Sequence, residues 1–182
     1  MRDWPSDHMP PDWSDTPLKM LLAQQGGFGH LAAEIWESEA DHPGSKQLAA
    51  YWESKRKDGR LPAREDIRPH EIARLLPNVS ILEPRDGDWA IRLTGTGVID
   101  RVGQEVTAKT IGEIYEPDTA RKMIETYDAV AASGRPMIAK ARLLGFGIAQ
   151  ALAESPMLPI IARDGRTVHI FGGIFFLEQK IR

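Results

Sequence analysis

The sequence predicts an α+β domain, a five-stranded antiparallel sheet crossed by helices, plus N-terminal helices. Three observations carry this. Asp86-Gly87 separates two short β-rich runs, and Asp164-Gly165 separates two longer ones, each a tight-hairpin signal. Between the hairpin blocks lies one amphipathic stretch, with Ala120, Met123, Ile124, Tyr127, Val130 and Ala131 on a single face. The order is strands, helices, strands, without strict strand–helix alternation, which argues against a doubly wound parallel sheet.

The elements follow in order. Residues 1–17 hold four prolines, four aspartates and two tryptophans without periodicity, and read as an irregular arm. Over 17–40, Leu18, Leu21 and Leu22, then Leu31, Ile35 and Trp36, recur at helical spacing. Gly26-Gly27 and Gly29 split them into two short helices. Pro43-Gly44 is a break, and Ser45 is the expected cap of a helix striped by Leu48, Tyr51 and Trp52. A proline-punctuated stretch, 60–69, leads to a helical turn closed at Pro77. Strands are expected at 79–83 and 89–94, with Trp89, Ile91 and Leu93 on one face and Arg92 and Thr94 on the other. Short helical turns fill 95–112. The long helix starts near Pro117 and stops at Gly134, and strands follow at about 136–144, 149–162 and 166–178. The chain thus divides into an arm with short helices, 1–43, and a domain, 44–182.

Composition excludes several functions. With 182 residues the chain can bury about 70% of its unfolded surface and needs no staples. It has no cysteine, which removes disulfides, thiolate chemistry and cysteine-held metals. A net charge of −3 is unlike a nucleic-acid binder, and the basic run Lys55-Arg56-Lys57 with Arg60 and Arg64 is too short to change that. Residues 1–45 carry net −6 and the remainder +3, so the two parts complement each other. The longest apolar run, Ile170 to Leu177, is far short of the ~20 residues of a membrane span. No leader is visible, and the expected location is the cytoplasm.

No catalytic constellation stands out. Gly95-Thr96-Gly97 lacks the third glycine of a dinucleotide loop and has Asp100 in its place. No two of the five histidines lie within five residues of each other, so no helical two-histidine metal motif exists. No serine sits in a nucleophile elbow. The sequence gives no catalytic and no metal-binding residue.

The last strand is apolar on both faces. Val168, Ile170, Ile174 and Phe176 share one, and Phe171 and Phe175 share the other with His169 and Gly173. Both faces must therefore be covered. The long helix and the short helices before it cover one. For the other, Leu18, Leu22, Leu31, Ile35 and Trp36 offer helical stripes with no partner of their own. They are expected to pack on Phe171, Phe175 and His169, in the same chain or in the second subunit of a homodimer. Each buried phenylalanine contributes ~1.5–3 kcal/mol to such a contact.

Several motifs taken together resemble the small stand-alone PAS-domain proteins of alphaproteobacteria. They are Tyr51-Trp52, Gly59-Arg60-Leu61-Pro62-Ala63-Arg64, Ile67, Pro69 and Leu75-Leu76-Pro77. Further on come Arg92-Leu93-Thr94-Gly95-Thr96, Leu158-Pro159, Asp164-Gly165-Arg166-Thr167-Val168 and Gly172-Gly173. The resemblance runs over about 44–178. It implies a sensor or interaction module whose cleft, between sheet and crossover helices, holds haem, flavin, a metabolite or nothing. The strand at 79–83 would lie centrally, beside the second and the last. Light-sensing flavin relatives need a cysteine, which is absent here. Haem-binding relatives often use a histidine of the long helix, and Asp118 to Ser133 has none. The cofactor is left unknown.

On strand phase the cleft would be lined by Ile91, Leu93, Met137, Ala139, Leu158, Ile160, Ile170 and Ile174, with Met123 and Tyr127 from the long helix. Tyr127 would be the polar handle. The same side chains could instead fill the cleft as core. The resulting reading is a single-domain sensor or signalling adaptor that acts in trans on an unknown signalling protein. Its cleft holds a small apolar ligand, and neither nucleic acid nor membrane is a partner. A small enzyme or ligand carrier using the same cleft is the alternative. An enzyme would need convergent ionisable groups there.

Overall fold

The computed structural model describes residues 32–177 apart from 104, 146 and 147. Among the described residues seven strands form one antiparallel sheet: β1 Ala32–Glu37, β2 Val79–Arg85, β3 Asp88–Thr94, β4 Met137–Gly145, β5 Ile148–Ile161, β6 Val168–Gly173 and β7 Phe175–Leu177. The order across the sheet is β3-β2-β6-β5-β4-β1, and β7 continues β6 along β5 after a break at Ile174. At that break the Ile174 amide leaves the ladder and donates to the Asn78 carbonyl, at 2.8 Å. As expected from the sequence, β2 lies between β3 and β6.

Four α-helices among the described residues accompany the sheet: α1 Pro43–Lys55, α2 Thr96–Val102, α3 Ile111–Ile114 and α4 Pro117–Ser133. Pro117 opens α4, where its missing N–H costs nothing, and Gly134 at φ +63° closes it in the left-handed region. The α1 start is three residues earlier than the sequence predicts. His42, not Ser45, is the cap, and its Nδ1 accepts the Gly44 N–H at 2.9 Å. The Ser45 hydroxyl is buried without a partner.

The helical reading of 17–40 fails where it can be checked. Residues 32–37 form β1, with Ile35 opposite Ala141 and Trp36 opposite Lys140. The Leu31-Ile35-Trp36 spacing is compatible with a helix, but the edge of β4 offers backbone partners, and tertiary pairing overrides local pattern. Leu18, Leu22 and Leu31 lie outside the described residues.

The outer face is covered differently from the expectation. Phe171 and Phe175, each 1% exposed, pack with Leu48 and Trp52 of α1, Ile67 and Ile72 of the following turns, and Val79, Ile81, Leu158 and Ile160 of the sheet. The cover is therefore supplied by α1 within the chain, and the two phenylalanines give no argument for a second subunit. Trp52 Nε1 donates to the Pro159 carbonyl at 2.8 Å, which fixes α1 across β5.

On the inner face α4 lays Ala120, Met123, Tyr127 and Val130 against Leu82, Trp89, Ala139, Ala153, Met157 and Ile170. Two phase expectations change. Leu158 pairs with Phe171 and so shares the outer face with Ile160, while Met157 turns inward. In β3 a bulge sets Ile81 opposite Leu93 but Leu82 opposite Ile91. The extra residue reverses the alternation, so Leu93 leaves the inner face and is 41% exposed, while Thr94 moves onto it.

Candidate functional site: an apolar cavity between sheet and crossover helices

A cavity of about 80 Å³ lies between the inner sheet face and α2, α3 and α4. Its floor is made of the strand residues Ile91, Ala139, Ala141, Ala153 and Ile170, with Ile174 from the break between β6 and β7. The alanines matter, because small side chains on β4 and β5 leave space that leucines would fill. Its walls are Val98 and Val102, one turn apart on α2, Ile111 and Ile114 on α3, and Met123 and Tyr127 on α4. α2 is tied to the sheet by Arg101, whose guanidinium sits 4.8 Å from the Phe176 ring centre.

No lining residue is an acid, a base or a histidine. The polar groups are hydroxyls: Ser80, Thr94, Ser155, Tyr115 and Tyr127. The Thr94 hydroxyl is buried without a partner. Burial pushes the Tyr115 hydroxyl up to about pKa 12. Burial also raises that of Tyr127, and nearby Tyr115 adds to it. Both are protonated at neutral pH and can donate. The Tyr127 ring is held in place by Trp89, at 5.7 Å between centres, and Trp89 is itself fixed by an Nε1–H to Asp128 hydrogen bond of 2.9 Å.

Six of the ten cleft candidates from the sequence sit on this cavity: Ile91, Met123, Tyr127, Ala139, Ile170 and Ile174. Met137 packs at the border of the inner core without reaching the cavity. Leu93, Leu158 and Ile160 lie on the other face, for the register reasons above. The sequence reading set the short helices before the long one over this face but named none of their wall residues, Val98, Val102, Ile111 and Ile114. It also missed Ala153, Ser155 and Met157, whose strand is apolar on both sides and so gives no phase.

Directly behind the cavity is a buried charge that the sequence reading did not single out. Glu154 is 0% exposed, between Ala153 and Ser155. Its carboxylate accepts the Asp41 N–H at 2.8 Å and the His42 N–H at 3.1 Å, which holds the start of α1 to β5. Opposite it on β4, Lys140 reaches Asp41 at 2.5 Å. His169, an interface candidate, is half-buried on the outer face with Nδ1 unpartnered. Desolvation lowers its pKa, against a raising influence from Glu83.

Among the described residues no cluster of three or more His, Asp or Glu side chains is placed to hold a metal ion. With neither histidine nor cysteine on the wall, the lining does not fit a histidine-ligated haem or a cysteinyl flavin adduct. No described helix is long and apolar enough to cross a membrane.

The family model for the PAS domain matches residues 40–175. Among solved structures, the PAS domain from Bordetella pertussis BvgS is similar, at 24% identity and a TM-score of 0.47, over 61% of this chain and 88% of that one. No curated protein matches.

Proposed function

The chain belongs to the PAS domain family, and from that premise we propose that it is a cytoplasmic sensor or signalling adaptor of the stand-alone alphaproteobacterial kind. It takes up a small apolar molecule and signals through protein–protein contact. The observation that carries this is the cavity: an uncharged space behind a well-packed sheet, walled by three helices. An active site concentrates ionisable groups with opposed pKa shifts, and this lining supplies only protonated hydroxyls, which favours sensing over catalysis.

A route outward supports the reading. In β4 and β5 the residues facing the cavity alternate with those that hold α1: Ala139 and Ala141 flank Lys140, and Ala153 and Ser155 flank Glu154. A ligand that shifts these strands would act on the α1 start. Self-association through residues 1–31 belongs to the same reading and rests on the leucine spacing at 18, 22 and 31 alone.

Native mass spectrometry of the protein purified from its own host tests the proposal. A bound mass that is lost on denaturation, and lost in Ala141→Leu, is expected. A wild-type protein that carries no ligand from its host and binds no small apolar compound added at millimolar concentration overturns it.

A further inference from the structure

The bulge opposite Ile81 and Leu82 carries two costs. It leaves Leu93 41% exposed, and it turns Thr94 into the cavity. There the Thr94 hydroxyl is closed off from solvent, with no hydrogen-bond partner among the described residues. Regular alternation from Ile91 would have buried Leu93 and kept Thr94 outside. An exposed leucine and a stranded hydroxyl both disfavour this arrangement in the protein alone. Bulges recur where a strand must re-aim one side chain towards a functional site.

The register shows what the re-aimed hydroxyl joins. Thr94 lies opposite Ser80, and Ser80 opposite Gly172, and all three line the cavity. Gly172 adds no side chain to that row, and a Cβ there would come within 2.3 Å of the Pro156 carbonyl oxygen. The next row of the same face, Ile91, Leu82 and Ile170, is wholly apolar. A strip of hydroxyls therefore borders an aliphatic floor. A charged ligand would meet no counter-charge on this lining, which is strongly unfavourable. A pure hydrocarbon would leave the Thr94 hydroxyl unmet.

Resting on the ligand-sensing reading above, we propose that the cavity takes a compact, uncharged, mainly hydrocarbon molecule with one hydroxyl or carbonyl oxygen, and that this oxygen hydrogen-bonds Thr94. The Thr94 hydroxyl both donates and accepts, so it serves either group. Thr94 is the specificity determinant, and the aliphatic floor supplies the affinity.

The test uses the full chain with phenol and toluene, which share one shape and differ by a hydroxyl for a methyl. Benzoate is the charged probe, and all three are titrated by ligand-observed NMR. Thr94→Val keeps the shape and removes the hydroxyl. It is expected to shift the ratio of the phenol Kd to the toluene Kd about three- to tenfold against phenol, and Thr94→Ser is expected to restore the wild-type ratio. Benzoate is expected not to bind. Without ligand, Thr94→Val is expected to melt no lower than wild type, because no hydrogen bond is lost. A variant that melts lower, or does not fold, would give the hydroxyl a structural role and overturn the proposal. So would a ratio that Thr94→Val leaves unchanged, the result expected where a trapped water alone meets the hydroxyl. A ratio that Thr94→Ser does not restore, or benzoate binding as well as phenol, overturns it too. If toluene binds and phenol does not, the Thr94 proposal falls and the cavity reading stands. If no probe binds at millimolar concentration, both fall.

Discussion

The two faces of the sheet are built from alternate residues of the same strands, yet they are packed to different standards. On the outer face there is no spare room: a Cβ added to Gly44 would come within 2.4 Å of the Phe175 ring, and one added to Gly173 within 2.9 Å. The inner face keeps a cavity beside three alanines. Interiors normally close to crystal-like density, and closing this one would need only larger side chains at existing positions. The contrast separates a face that holds α1 in place from a face that leaves space for something else.

The largest test of that contrast is Trp52→Ala. Trp52 is 1% exposed and fills the outer core while its indole N–H satisfies the Pro159 carbonyl. Truncation is expected to cost about 3–5 kcal/mol in urea unfolding. A loss under about 1 kcal/mol would mean that α1 is not firmly seated.

Next is Glu154→Leu. It leaves two α1-start amides without their acceptor and strands Lys140 and Asp41 beside an apolar side chain. The expected cost is about 2–4 kcal/mol, with amide exchange accelerating at the start of α1 before the rest of the domain. Uniform exchange across the domain would contradict a local anchoring role.

A matched pair of enlargements sharpens the comparison further. Gly44→Ala adds one carbon to the full face and is expected to cost about 1–3 kcal/mol. Ala141→Leu adds three carbons to the open one and is expected to change stability by no more than about 1 kcal/mol, because the added atoms enter empty volume. Equal costs would show that the cavity wall cannot accept substitution.

The difference between the faces was only partly legible in the sequence. The Asp-Gly turns, Pro117 and Gly134 punctuate the chain by fixed backbone chemistry, so the hairpins and α4 could be read directly. The last stretch, β6 through β7, showed its two faces because Phe171 and Phe175 alternate with Ile170 and Ile174. β5 did not: Met157, Leu158, Pro159 and Ile160 are apolar without interruption, and only the pairing of Leu158 with Phe171 sets the phase. The bulge that turns Leu93 outward needs one extra residue in β3, and nothing in Ile91-Arg92-Leu93-Thr94 announces it. β1 is stabilised by its neighbour, so its own residues show helical spacing and misdirect. The leucine spacing at 18–36 offers an apolar stripe without a partner and so points to itself as the outer cover, whereas the stripe of α1 gives no sign of which face it meets until Trp52 is seen hydrogen-bonded to Pro159 across β5.

The smallest expected effect concerns His169, at the outer face's margin. Its imidazole lies in the surroundings of Glu83, Arg92, Asp164 and Arg64. Burial outweighs the acids and lowers its pKa from the usual 6.5. A lowered pKa means that, below about pH 6.5, the unfolded chain binds the proton more readily than the folded one. The contribution is therefore complete above that pH and is lost as the pH falls towards the folded value. His169→Leu removes the titration together with a buried Nδ1 that has no partner. Unfolding free energies of the two proteins are expected to agree within about 0.5–1 kcal/mol at pH 7.5. They should diverge in favour of the variant as the pH is lowered to 5. Because every other titrating group is common to both proteins, the difference between their pH profiles reports this residue alone. A difference that stays flat from pH 7.5 to 5 would place the His169 ring in water rather than against the sheet, and the outer face would then be less closed at this end than at Trp52.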